Sequence, residues 1–251
     1  MSIQACAELV QRGDPDRFLA AMAVPVAARA VLFPIYAFNL EVARAPWVTQ
    51  EPMIAEMRLQ WWRDALEEIA QGGPVRRHEV ATPLAEVLDA EGAGLLDALV
   101  EARRWDIARE PFAGVPALEA YLEATSGHLA WAAARALGAA EGEAAFRDMA
   151  YAAGLANWLL AAPSLAAAGV APLPEAAPEA IADLAWNGLR RWRKGRGLKL
   201  PKRARPAALA FWRAPSLLRQ AAKDPDRVLG AGLAQSEFAR RGGLLLHSFR
   251  L

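Results

Sequence analysis

Three carboxylates on one predicted helix have a spacing that could serve metal chemistry. Asp64, Glu67 and Glu68 fall within five residues. Residues three and four apart share one face of a helix, so these carboxylates could converge on a cation. Most such clusters are solvated surface charge instead. Because Arg58 and Arg63 lie nearby in the sequence, we interpret the cluster as a helix face that pairs its charges locally.

The other residue types that bind metals or act as nucleophiles do not form a catalytic pattern. His78, His128 and His247 have no ligand-like spacing to one another or to Cys6, which argues against a zinc site. No serine or cysteine nucleophile pattern accompanies His128, so we predict that it is a hydrogen-bonded helix histidine. These residues therefore predict no catalytic group and no metal.

The composition is typical of a globular protein from a reducing compartment. The 251 residues are 55% hydrophobic, include nine tryptophans and carry a formal net charge of +1. This suits a large core and provides no overall field that demands nucleic acid. One cysteine excludes an internal disulfide. The first residues lack the pattern of a secretory signal. We expect a cytoplasmic protein, with peripheral contact at the inner face of the membrane as a further expectation.

A local basic segment stands out against this balanced charge. Residues 190–205 contain nine cations and no acid. Cations at the C-terminal end of a helix complement its dipole. Alternatively, they contact an anionic membrane, where each cation contributes about 1 kcal/mol. Nucleic acid is disfavoured because no DNA-binding motif accompanies the segment. The candidate membrane-contact residues are Arg190, Arg191, Arg193, Lys194 and Arg196.

Helices have to position these residues. Proline and glycine punctuate the sequence and sustained β-branched runs are few, so we predict an all-α fold. Asp14-Pro15 predicts an N-cap and first turn of a short helix that ends at Pro25. The next helix carries Tyr36 and ends at Pro46. Further helices are predicted over residues 52–70, 84–89, 95–109, 118–137, 143–162, 178–194, 207–223 and 227–240.

One uncharged stretch is long enough to consider as a membrane span. Met149 to Pro174 contains 26 residues without a charge, more than the roughly 20 that cross a bilayer. Its apolarity comes mostly from alanine and glycine, and Asn157 lies inside it. Pro163 is expected to break or kink the helix. We therefore favour a helix buried in the protein core over a membrane span.

Two motifs near the N-terminus resemble those of a known enzyme family. YAFN at Tyr36–Asn39 and RLQWWRDALEEI at Arg58–Ile69 lie in a segment that resembles the squalene/phytoene synthases, with weaker likeness along most of the chain. The resemblance implies one domain over residues 1–251, with the single-domain, all-helical fold of isoprenoid (terpenoid) synthases. For active members it implies Mg²⁺ and prenyl diphosphates. It also implies a pocket near Tyr36, Asn39 and Asn157.

The positions of that family's metal-binding acids carry other residues here. The first motif has acids seven, eight and eleven residues after its tyrosine, which by resemblance are Ala43, Arg44 and Trp47. The two aspartates of the second motif fall on Ala161 and Leu165. Mg²⁺ prefers oxygen ligands, typically carboxylates, and none of the five side chains offers an oxygen. We therefore expect both metal motifs to be degenerate, with no catalytic residue, metal or cofactor.

This loss predicts a retained scaffold with a changed function. The RLQWWRD motif also resembles a divergent branch of the family, similar to mitochondrial complex I assembly factor 6, which is regarded as non-catalytic and membrane-associated. That resemblance implies a peripheral membrane or lipid-associated factor in respiratory complex I assembly. Two alternatives stay open: a Mg²⁺-dependent prenyltransferase that condenses prenyl diphosphates, and a carrier of an isoprenoid or lipid tail.

Overall fold

The computed structural model of the chain describes residues 3–249. Every regular element within that range is helical, which confirms the all-α prediction. The helices group into two compact units, each assembled from three separate stretches of chain. Unit 1 takes the described parts of Met1–Ala108, His128–Glu141 and Pro201–Ala210, and unit 2 takes those of Arg109–Gly127, Gly142–Leu200 and Phe211–Leu251.

The helices of unit 1 are mostly short, with two of nineteen residues. They are α1 (Ile3–Gly13), α2 (Pro15–Met22), α3 (Val26–Arg44), α4 (Pro52–Ala70), α5 (Ala81–Ala85), α6 (Ala90–Ala102), α7 (Trp105–Ala108), α9 (His128–Ala136) and α12 (Arg205–Ala208).

The helices of unit 2 include the longest one described, α10, with 25 residues. They are α8 (Val115–Leu122) with a π-helical turn (Glu123–Gly127), α10 (Glu143–Ala167), α11 (Pro178–Gly197), α13 (Ala214–Lys223), α14 (Asp226–Leu229) and α15 (Glu237–Ser248). A short 3₁₀ turn covers Leu209–Phe211, of which Leu209 and Ala210 belong to unit 1 and Phe211 to unit 2.

Local sequence signals account for the first helices of unit 1. The Asp14 carboxylate accepts a 2.9 Å hydrogen bond from the Arg17 backbone N–H at the start of α2, which confirms the predicted N-cap. α4 begins with Pro52 in its first turn and ends at Ala70, as predicted. A side-chain N-cap such as that of Asp14 contributes about 1 kcal/mol to stability. Asp89 caps α6 in the same way, through a 2.7 Å bond from Gly92 N–H.

The centre of unit 1 is α3, which contacts α1, α2, α4, α5 and α9. Among the described helices it alone has the length and apolarity to cross a bilayer, but 56% of its most apolar window is buried inside the protein. Phe38 on its inner face meets the ring of Trp62 edge to face at 5.1 Å. The sole cysteine is also buried in this unit, and its burial raises the pKa of the Cys6 thiol to about 11. Burial in the core therefore accounts for the apolarity of α3.

Unit 2 is built around the contact of α10 with α11 and α13. Glycine at two positions of α11 permits the close approach of these helices. A Cβ added at Gly188 would lie 2.9 Å from a Leu155 methyl, and one at Gly195 would lie 2.8 Å from the Ala145 carbonyl oxygen. Because these distances are shorter than van der Waals contact, α11 could not keep its place with larger residues there.

The uncharged stretch within residues 149–174 is mostly helix α10, packed against other helices of unit 2. This agrees with the interpretation as a core helix. α10 continues through Pro163 to Ala167, so the predicted break did not occur. Proline removes only its own backbone N–H donor from the hydrogen bonds of the helix. Pro163 lies in the last turns of α10, where the helix continues despite this loss.

Several other predicted helices were wrong in their limits. The predicted helix over residues 84–89 is instead α5, which begins at Ala81 and ends at Ala85. The predicted helix over residues 95–109 is divided into α6 and α7, and the one over residues 207–223 is divided into α12, a 3₁₀ turn and α13. The predicted helix over residues 227–240 is two helices, α14 and α15, separated by Gly230 to Ser236. Gly232 adopts a left-handed φ of 79°, a conformation that terminates helices. Gly230 and Gly232 are the signal in the sequence for this interruption, but the prediction followed the apolar periodicity, which continues past them.

Gly195→Ala is expected to destabilise the protein by about 1–3 kcal/mol, the usual cost of overpacking a tight interface. The reason is the approach to a backbone carbonyl, which cannot move aside as a flexible side chain could. Gly197→Ala is the matched control on the same helix, because no atom lies within 4 Å of its added Cβ. Chemical denaturation of both variants measures the difference, and equal stabilities would contradict the packing argument.

Candidate functional site

The tyrosine of the first motif is a buried residue of unit 1. Only 3% of Tyr36 is exposed, and the Arg17 guanidinium of α2 lies 5.1 Å from its ring centroid. Burial raises the pKa of Tyr36 above its ordinary range, with the nearby Arg17 charge acting in the opposite direction. Asn39, one turn later, is buried as well. The pocket role assigned to both residues by resemblance stays a prediction.

The positions of the first metal motif lie at the C-terminal end of α3 and just beyond it. Ala43 is half-buried, whereas Arg44 and Trp47 are exposed. The nearby glutamates do not form a set of carboxylates that could replace the missing ligands. Glu56 is held by Arg104 of unit 1 in a 2.6 Å ion pair. Glu51 is exposed ahead of α4.

The positions of the second motif follow one another at every fourth residue of α10 in unit 2. Asn157 and Ala161 are exposed, and Leu165 is half-buried. Trp158, next to this stripe, is buried and donates a 2.6 Å hydrogen bond from its indole N–H to the carbonyl of Pro172. The stripe thus presents one amide and two aliphatic side chains, with no carboxylate.

These residues do not fit a magnesium site. Mg²⁺ in proteins is bound through carboxylates and substrate phosphate oxygens. The five motif positions supply no side-chain oxygen. Over residues 3–249, no group of three or more His, Cys, Asp or Glu side chains could hold a metal ion. We derive no reaction step through a metal.

Two carboxylates of the α4 acidic cluster, Asp64 and Glu68, pair with Arg76 of unit 1. Glu68 accepts hydrogen bonds from Arg76 as short as 2.6 Å, and these bonds lower the pKa of the Glu68 carboxyl. Arg63 bonds instead to α6, at 2.7 Å from Asp97. The structure therefore supports surface charge pairing, although the partner of Glu68 comes from the segment after α4. Sequence reasoning missed Arg76 because no helical periodicity links it to the cluster.

A buried carboxylate in unit 2 was not recognised from the sequence. Asp148 on α10 is 4% exposed. Its Oδ1 accepts a 2.8 Å hydrogen bond from Arg191 Nε of α11. Lys194 Nζ lies 2.9 Å from Oδ2, at an angle that makes an ion pair but no hydrogen bond. The only signal in the sequence was one acid at the start of a long uncharged stretch.

Other polar groups extend this cluster. Arg191 also reaches Glu123 of the π-helical turn at 3.3 Å, and its guanidinium lies 4.0 Å from the Tyr151 ring centroid. The Tyr151 hydroxyl donates to Glu119 at 2.8 Å. Burial, followed by this bond, raises the pKa of Tyr151. The cluster is fully used in holding helices together, so it offers no free catalytic acid or base.

The predicted membrane-contact residues fall into two groups. Arg191 and Lys194 are engaged with Asp148. Arg193 and Arg196 are exposed, and Arg190 is exposed with a 3.4 Å bond to Asn187 on its own helix. The second group is available to an external anion, and so in part is Lys194, whose side chain is 70% exposed.

Sequence comparison places most of the chain within one family. The family model described as squalene/phytoene synthase matches residues 10–177, about two thirds of the chain. Among curated proteins, complex I assembly factor 6 homologue of Drosophila melanogaster is 33% identical over 127 residues, which cover 48% of this chain and 38% of that protein. Assembly factor 6 of Homo sapiens is 27% identical over 53% of this chain and 40% of its own length. The matched region thus spans about two fifths of the length of these relatives.

Solved structures share the fold at low sequence identity. A dehydrosqualene synthase crystallised with a ligand superposes with a TM-score of 0.76 at 14% identity, over 99% of this chain and 95% of that chain. The squalene synthase HpnC from Alicyclobacillus acidocaldarius gives 0.73 at 16% identity, over 88% and 93%. These matches confirm the predicted isoprenoid synthase-like fold. The family match, together with this fold and the YAFN and RLQWWRD motifs, shows that the chain belongs to the squalene/phytoene synthase family.

Proposed function

We propose that this chain is a non-catalytic member of its family that acts as a peripheral membrane factor in the assembly of respiratory complex I. The observation that carries the non-catalytic part is the lack of a carboxylate at all five metal-motif positions. The assembly role is supported by the curated relatives, which are 25–33% identical complex I assembly factors. This role is inferred from the matched region alone, which is about two fifths of each of those proteins.

The chemistry of the family explains why the missing acids matter. Ionisation of an allylic diphosphate builds negative charge on the leaving group, and metal ions neutralise that charge at a gain of several kcal/mol. Arg44 is the only cation among the five positions. It lies exposed at the end of α3, where water screens its charge. One screened guanidinium does not replace a cluster of metal ions.

Purified protein incubated with Mg²⁺ and labelled farnesyl or geranylgeranyl diphosphate is expected to release no more diphosphate than a sample without protein. The reason is the lack of ligands at both motifs. A squalene synthase assayed in parallel shows that the substrates are competent. Robust turnover by this chain would overturn the non-catalytic proposal and support the prenyltransferase alternative.

Removal of the protein from its host is expected to lower NADH oxidation by isolated membranes, because complex I would be assembled incompletely. Succinate oxidation, which bypasses complex I, serves as the internal control. Return of the wild-type chain should restore the activity, and so should the Gly197→Ala chain. Unchanged NADH oxidation after removal would contradict the assembly role.

Membrane association is supported by helix α15 at one edge of unit 2. None of its residues is buried. Phe238 is 88% exposed, and Phe249, directly after the helix, is 80% exposed. With Leu245 between them, they recur at helical spacing and form one apolar stripe. Such a stripe suits the boundary between headgroups and acyl chains.

The exposed cations of α11 belong to the same unit as this stripe. The Trp192 ring of α11 and the His247 ring of α15 lie 6.4 Å apart. Arg196 follows Trp192 by one helical turn, so this exposed cation lies on the side of α11 that faces the apolar helix. Apolar insertion and attraction to anionic lipid act together in peripheral binding.

Arg190→Gln, Arg193→Gln and Arg196→Gln combined are expected to weaken binding to vesicles with anionic lipid on the order of 100-fold, from about 1 kcal/mol for each cation. Phe238→Ser with Phe249→Ser should weaken binding to anionic and zwitterionic vesicles alike. Co-sedimentation measures both effects.

The control for charge is Arg12→Gln with Arg77→Gln, which removes two exposed cations of unit 1. Arg191→Gln is unsuitable because it leaves the buried Asp148 carboxylate poorly neutralised. If the control and the α11 variant bind equally well, the basic segment has no part in membrane contact.

A further inference from the structure

A groove in unit 1 lies beside α4 and has a volume of about 510 Å³. Small-molecule sites commonly measure about 300–1,000 Å³. We call it the α4 groove, and its walls include Ile54, Met57, Arg58, Trp61, Trp62 and His78.

The α4 groove is separate from the first metal-motif positions. Glu41 of α3 and Ala45, directly after it, line the groove, whereas Ala43, Arg44 and Trp47 do not. Residues two apart on a helix differ by about 200° in direction, so Ala43 points away from the face that carries Glu41.

Three aromatic rings form one wall of the groove. Trp61 and Trp62 are 4.9 Å apart and perpendicular, and His78 lies 4.9 Å from Trp61 and 5.4 Å from Trp62. Trp62 is buried against Phe38, so the wall is anchored in the core of the unit. Aromatic rings in edge-to-face contact present an ordered apolar surface, which is complementary to a ligand that is itself a ring.

The lip of the groove is apolar and open to solvent. Met57 and Ile54 are 66% and 44% exposed, and neighbouring Met53 is 75% exposed. Exposed apolar groups that cluster on one helix mark sites of interaction. Methionine side chains adapt their shape to a bound apolar surface.

His78 supplies a hydrogen-bond donor to this apolar setting. Its Nδ1 lies 3.2 Å from the Val80 backbone N and 3.4 Å from that of Ala81, and both N–H groups donate to it. An imidazole nitrogen that accepts carries no proton, so in the neutral ring the proton is on Nε2. His78 therefore presents an N–H donor while it caps the start of α5.

Arg58 supplies a cation. Its side chain is exposed, and no hydrogen bond or ion pair is found for it within residues 3–249. By contrast, Arg63 and Arg76 of the same unit are held by carboxylates. A free guanidinium beside aromatic rings matches a ligand that carries an anionic oxygen group.

We propose that the α4 groove binds a small molecule that combines an aromatic or alicyclic ring with a carboxylate, sulfonate or similar anionic group. The ring packs on Trp61 and between the apolar lip residues. The anionic oxygen accepts from Arg58 and from His78 Nε2–H. Glu41 is the one acidic group of the lining, and it weakens anion binding by repulsion. This proposal is independent of the role in complex I assembly.

A pair of fluorescent probes tests the proposal on the full chain. 8-Anilinonaphthalene-1-sulfonate carries the rings and an anion, and N-phenyl-1-naphthylamine carries the rings alone. Arg58→Gln is expected to weaken sulfonate binding about tenfold, the effect of one charge-assisted hydrogen bond, and to leave the amine unchanged. Ile54→Asp should weaken both probes. Glu41→Gln should strengthen the binding of the sulfonate only.

Matched variants keep the result specific to this groove. Phe238→Asp removes part of the apolar surface on α15 and Arg193→Gln removes an exposed arginine elsewhere, so both should leave the groove-dependent binding intact. Circular dichroism and thermal melting confirm that each variant is folded. The proposal is overturned if the wild type binds no sulfonate probe, or if Arg58→Gln and Ile54→Asp leave its binding unchanged. It is also overturned if Arg58→Gln weakens both probes equally, because the groove would then be only an apolar contact.

Discussion

The buried carboxylate of Asp148 has to be neutralised, and this requirement determines how α11 lies against α10 in unit 2. Arg191 and Lys194 reach it from successive turns of α11. The contact is possible because Gly195, next in sequence, allows α11 to approach the backbone of α10. Removal of one partner from a buried ion pair typically costs about 3–5 kcal/mol. Arg191 stays partly exposed here, so its loss would cost less. Charge and close packing therefore constrain the same few residues.

This constraint divides the basic segment by function. Arg191 belongs to the interior contact, whereas Lys194 pairs with the same acid of α10 while 70% of its side chain stays exposed. Arg193 and Arg196 are exposed on the same helix, and neither forms an ion pair within residues 3–249. A run of cations in a sequence is thus a mixture of structural and free charge. Only the pairing in three dimensions separates the two kinds.

The fold does not depend on acids at the positions that the resemblance assigns to the metal motifs, because those positions contribute little to the core. Ala161 and Arg44 are exposed, and Ala43 and Leu165 are half-buried. The opposite faces of the same helices carry the packing, through residues such as Phe38 and Tyr151. Clustered carboxylates also repel one another when no cation neutralises them. Alanine or leucine at these positions is therefore compatible with the interactions that stabilise α3 and α10.

Much of the fold was predictable from local signals, and most of the polar contacts were not. Asp14-Pro15 and Pro52 specify the starts of their helices through capping and fixed φ. Gly230 and Gly232 interrupt a helix whose apolar spacing otherwise continues, so periodicity alone gave the wrong limits. The pairs of Asp148 with Arg191 and of Glu68 with Arg76 depend on how separate segments pack. No spacing rule in one segment reveals such partners. The α4 groove likewise needs His78, which comes from a loop far from α3.

The two exposed apolar surfaces differ in the chemistry that could cover them. The stripe on α15 has phenyl and aliphatic groups, and its arginines, Arg240 and Arg241, both pair with Glu237 on the same helix. It offers no ordered donor within the stripe, which suits a fluid layer of acyl chains. The α4 groove combines an anchored aromatic wall with a histidine of defined tautomer and with Arg58, which has no ion-pair partner within residues 3–249. Polar groups held in fixed positions favour a ligand of fixed shape, because their hydrogen bonds form only at suitable distances and angles. We therefore propose different partners for the two surfaces: an acyl-chain layer for the stripe on α15, and a small molecule with a ring and an anionic group for the α4 groove.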